Sequence, residues 1–141
     1  MRYSQQMSIR ISGMFAALAL AAGSVHAGDV KVSLTGSQEV PPVTTSATGT
    51  GSITVADDKS VSGSVTTKGV TGVAAHIHLA PAGKNGPPII TLTKTSDDVW
   101  SVPEGSKLTD EQYAAFKAGS LYVNVHSAAN KGGEIRGQLK P

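Results

Sequence analysis

Through most of the chain apolar residues recur at every second position, the period of a strand with one face in a core. Over residues 29–35, Val30, Val32 and Leu34 share a face. Residues 48–56 and 60–67 flank the turn formers Asp57, Asp58 and Lys59 and predict a hairpin. A strand over 73–79 follows, then a loop over 80–88 dense in Gly, Pro and Asn. Residues 89–95 and 99–102 predict a second hairpin around Ser96, Asp97 and Asp98. Strands over 121–127 and 134–139 close the chain around the turn Asn130-Lys131-Gly132-Gly133. One segment breaks the two-residue period. Thr109 can cap a helix there, with Gln112 in capping-box spacing, Asp110 and Glu111 in the first turn, Tyr113 and Phe116 as its apolar stripe, and Gly119 as its stop. About seven or eight short strands with one short helix predict an all-β fold, an antiparallel sandwich or flattened barrel.

The same alternation sorts the polar side chains. In LYVNVHS, Leu121, Val123 and Val125 take one face and Tyr122, Asn124 and His126 the other. In EIRGQL, Ile135 and Leu139 take the core side, leaving Glu134, Arg136 and Gln138 opposite. His76 and His78 stand opposite Ile77 and Leu79. If these three strands are neighbours, they build a polar patch outside the core, with the loops over 80–88 and 127–133 placed to cover it.

Composition changes the picture at the N-terminus. Arg2 and Arg10 precede a short apolar run over 11–23, and Val25-His26-Ala27 supplies a small-residue cleavage signal. The run is short for a membrane span, so residues 1–27 are expected to be a secretory signal peptide and 28–141 a single exported domain, periplasmic or extracellular. Removing both arginines and no acid takes the net charge from +2 to zero. A neutral domain whose one arginine is Arg136 gives no electrostatic case for nucleic acid, and no membrane span is expected in the mature form.

All three methionines fall in the signal, and the chain has no cysteine. That excludes disulfides, cysteine nucleophiles, thiolate zinc sites, iron–sulfur ligation and copper sites of the His/Cys/Met type. No nucleophile with a base and an orienting group can be assembled, which argues against a hydrolase. What remains is imidazole. His76, His78 and His126 are the only histidines after residue 27, and three neutral imidazoles suit copper, with zinc as the alternative. Glu134, Asn124, Arg136 and Tyr122 are candidates for a fourth ligand or for groups that orient the rings.

Two resemblances follow from these residues. AHIHLAPAGKNGP over 75–87, LYVNVHSAANKGGEIRGQL over 121–139 and LTGSQEVPPV over 34–43 resemble the CHRD domain, named after chordin and recurrent in exported bacterial proteins. The resemblance implies an all-β, immunoglobulin-like sandwich. At the level of the site, His76 and His78 with His126 in Val123-Asn124-Val125-His126 are similar to the copper ligands of copper–zinc superoxide dismutases. Arg136 sits where that family keeps an arginine that guides its anionic substrate. The bridging histidine, the zinc set and the cysteine pair of that family are missing. Three readings result: a metal-binding exported module, an interaction or structural module without metal, and, third, a dismutase-like copper oxidoreductase.

Overall fold

The computed structural model describes residues 28–141; the expected signal over 1–27 lies outside the described residues. Nine strands are formed: β1 (Gly28–Thr35), β2 (Thr48–Val55), β3 (Val61–Lys68), β4 (Gly72–Leu79), β5 (Pro88–Thr91), β6 (Thr93–Ser96), β7 (Val99–Ser101), β8 (Leu121–Ser127) and β9 (Ile135–Leu139). The one α-helix is α1 (Asp110–Lys117), and a short 3-10 turn, Gly36–Gln38, follows β1. All pairings are antiparallel, in the order β5-β4-β8-β9-β1-β2-β3-β7-β6. The expectation of an all-β fold with one short helix is met.

One expected strand is divided, and the reason is geometric. Residues 89–95 read as a single run, yet β5 pairs with β4 while β6 pairs with β7. Leu92 is the corner between them, its side chain buried and its N–H bonded to Ala75 O at 2.9 Å. One segment therefore supplies both ends of the sheet, which curls into a nearly closed, flattened barrel. The second hairpin is real only in its β6–β7 half.

The alternating apolar residues meet inside. Leu34, Ile53, Val65, Ile77, Val123 and Ile135 are all buried in one continuous core, with Trp100 among them. Phe116 on α1 joins the same core with no exposed surface, so the helix covers one end of the barrel. No helix among the described residues is long and apolar enough to cross a membrane.

The helix begins where the sequence says it should. Thr109 Oγ1 accepts from Gln112 N at 3.2 Å, and Gln112 Oε1 accepts from Thr109 N at 3.0 Å. Lys59 pairs with Asp110 in the first turn, an exposed contact of little weight. Thr109→Ala removes both halves of the capping box and is expected to lower unfolding free energy by about 1 kcal/mol in urea titrations, with native β-sheet signal unchanged.

Candidate metal centre

Cross-strand register builds the polar face. On β4, β8 and β9, His76 stands opposite Asn124, which stands opposite Arg136. In the next row His78 stands opposite Tyr122, which stands opposite Gln138. His126 follows Asn124 by two residues on β8 and so shares its face. The face is not open to solvent: His78, Tyr122, Asn124 and Arg136 are all buried.

Two loops do the covering, each fixed by this face. Over 80–88, Gly86 O accepts from His78 Nδ1 at 2.9 Å and Gly86 N donates to the Tyr122 hydroxyl at 3.2 Å. Gly86 has no room for a side chain, since a Cβ there would strike the backbone of Leu79. Gln138 Nε2 donates to Ala80 O at 2.9 Å. Over 127–133, Lys131 O accepts from His126 Nδ1 at 2.8 Å and Gly132 O from Asn124 Nδ2 at 3.3 Å.

Those carbonyls decide the histidine tautomers. A carbonyl only accepts, so Nδ1 carries the proton in His78 and in His126, and Nε2 of each offers a lone pair. His126 Nε2 lies 3.0 Å from His76 Nδ1, which donates to it in the metal-free protein. His78 Nε2 is buried with no partner. The three rings bring one nitrogen each within 4.8 Å of one another. Nitrogens bound at 2.0–2.1 Å in a tetrahedral shell lie about 3.3 Å apart, so a single ion fits once the rings close in. A three-histidine group able to hold a metal is thus present, with two rings oriented through their second nitrogen. Burial holds His76 and His78 below the usual histidine range, reinforced at His76 by the other two rings, and this keeps both in the ligand form near neutral pH.

The other expected site residues have different duties. Glu134 accepts from Thr45 Oγ1 at 2.9 Å, Ser127 Oγ at 2.8 Å and Asn130 Nδ2 at 3.3 Å. Desolvation pushes its carboxyl up, but those donors together hold it below the ordinary range. The carboxylate braces a loop and does not join the histidine group. Tyr122 stacks on His78, ring centroids 4.7 Å apart and planes parallel within 1°. Arg136 is 1 % exposed. Its Cζ lies 3.4 Å from the Tyr122 ring centroid, and its nitrogens donate to Lys84 O at 2.7 Å, Pro81 O at 3.3 Å and Asn85 Oδ1 at 3.3 Å. The guanidinium is consumed in holding the 80–88 loop, which corrects the expectation that it guides an anionic substrate from the surface.

Glu39 escaped the sequence reading. It is 4 % exposed, and burial pushes its carboxyl up to about 7, against the attraction of Arg136 and hydrogen bonding from Asn124. Gly133, at φ 125°, lies directly over it; a Cβ there would strike both the Glu39 carboxyl and the Asn124 amide. The two prolines after Val40 predict an extended strap, which gives no period from which inward burial could be read. The only sequence signal was an acid flanked by apolar residues.

A family model of the CHRD domain matches residues 30–139. No curated protein and no solved structure matches the chain.

Arg136→Lys keeps the charge but loses the fork and the flat stack, so stability should fall by roughly 1–3 kcal/mol and proteolysis within 80–88 should quicken. The pH dependence carries opposite slopes. Glu39 titrates near 7 folded and 4.5 unfolded, so its contribution is complete below about 4.5 and is lost as pH rises through 7. His76 and His78, lowered when folded, contribute above about 6.5 and lose that contribution as pH falls through their folded values. Glu39→Gln should therefore gain on wild type in melting temperature between pH 4.5 and 7 and hold a constant lead above. A flat difference across that window contradicts the assignment.

Proposed function

Because the chain belongs to the CHRD domain family, we propose that it is an exported, single-domain metal-binding protein whose His76, His78 and His126 take up copper. The observation that carries this reading is His78 Nε2, a buried lone pair without a donor, in a group whose other free nitrogens lie within 4.8 Å. Leaving such an acceptor bare costs free energy, and a cation is what relieves it.

Copper is preferred over zinc on chemical grounds. Neutral imidazoles bind Cu(II) more tightly than Zn(II), and no carboxylate joins the set. Export, read from the basic-apolar-small pattern over 1–27, places the protein where copper is handled outside the cytoplasm. Binding without turnover is preferred over a dismutase-like activity, which would need a steering cation that the inward-turned Arg136 does not supply.

The competing reading is a structural module in which the histidines only brace loops. His78 and His126 do donate to Gly86 and Lys131. Bracing, though, uses Nδ1 alone and leaves His78 Nε2 unaccounted for.

Titration of the purified protein with Cu(II), Cu(I) and Zn(II) tests the proposal. One Cu(II) per chain is expected, bound more tightly than Zn(II). His78→Ala should weaken it by roughly a hundredfold or more, and His76→Ala and His126→Ala should each weaken it too. Uptake by wild type no greater than by the triple alanine variant removes the metal reading and leaves the structural one.

A further inference from the structure

A line of buried polar side chains crosses β8 from the histidines to the strap that follows β1. Three acceptors on this line lack a donor: His78 Nε2, Asn124 Oδ1 and Glu39 Oε1. Asn124 joins the other two, since its side chain acts on both His78 and Glu39. Its amide nitrogen is aimed by Gly132 O and meets the Glu39 carboxyl over Gly133. A buried run of lone pairs without protons is short of positive charge. A metal cation at the histidines satisfies one end; a proton on Glu39 satisfies the other.

We propose that Glu39 is the charge-compensating acid of the histidine centre, protonated while the centre is metal-free and releasing that proton to solvent when a metal cation binds. The inference rests on the metal-binding reading above. The reaction is a proton dissociation only: the O–H bond of the Glu39 carboxyl breaks, the pair stays on oxygen, and no electron moves between groups. Both states have partners. The neutral acid can donate to Asn124 Oδ1, and the carboxylate can accept the second hydrogen of Asn124 Nδ2, whose first goes to Gly132 O.

Charge accounts for the coupling. Arg136 on β9 is a permanent buried cation beside Glu39. Adding a metal cation to His76 and His78 on β4 and His126 on β8 raises the positive charge in the same interior, which favours a carboxylate. The other charged groups are Lys140, which lines a cleft with Glu39 and Arg136, and Glu134, already held by Thr45, Ser127 and Asn130. The proton has a route out, because Glu39 also lines an open cleft of about 520 Å³ walled by Pro41, Pro42, Asn85 and Asn130. Burial has already brought the carboxyl to about 7, so a modest field moves it at neutral pH.

Calorimetry of Cu(II) and Zn(II) binding at pH 7, in buffers of different ionisation enthalpy, counts the protons. Wild type should release about half a proton per ion more than Glu39→Gln, which still binds one ion. Carbon-13 NMR of the Glu39 carboxyl in wild type should give a midpoint near 7 that falls by about one unit or more with Zn(II) bound. Equal proton release in the two proteins overturns the role of Glu39. So does a carboxyl midpoint that zinc leaves in place, whatever the variant does. If wild type binds neither ion, the metal reading falls first and takes this one with it.

Discussion

Arg136 carries a charge that it cannot shed, in a place with almost no water. An uncompensated guanidinium inside a protein costs several kcal/mol, so its surroundings must supply acceptors. They come mainly from the loop over 80–88, with the Tyr122 face beneath and the Glu39 carboxyl nearby. Meeting that demand fixes the path of the loop. The path fixes Gly86, whose carbonyl in turn fixes which nitrogen of His78 is free. A lone pair suited to a metal is thus the last link of a chain that begins with a buried charge on another strand.

The second anchor runs the same way on the other side of the face. His126 and Asn124 point into the turn over 130–133, and its carbonyls set the His126 tautomer and the Asn124 amide. His76 alone among the three rings has no carbonyl holding it, and its one hydrogen bond is to another member of the group. The centre therefore combines two rings whose orientation is prepared with one that is free to adjust. Preparation of this kind lowers the ordering cost of binding, and the adjustable ring takes up the remaining distance.

Much of this was legible in the sequence, for a definite reason. Alternation in LYVNVHS and EIRGQL told which side chains share a face, because a strand leaves no other choice. Thr109 and Gln112 marked the helix start because capping is local chemistry. What alternation does not report is whether the face away from the core meets water. Arg136 read as a surface cation, and only loops arriving from elsewhere in the chain make it a buried one. Glu39 lies in a strap with no period, and its neighbours Asn124 and Arg136 are far along the sequence. Leu92 sits in a run with strand composition throughout, and the bend there follows from the closing of the sheet as a whole.

The corner at Leu92 also bears on how a cysteine-free exported chain stays soluble among other unfolded or unfolding proteins. A sheet that ends in a long exposed strand invites foreign strands to add to it, the first step of amyloid-like growth. Here both terminal strands, β5 and β6, are four residues long and belong to one bent segment. A visiting strand finds too short a ladder to hold, and extending it would mean straightening the corner and pulling Leu92 out of the core. The fold thus carries resistance to aggregation in its connectivity.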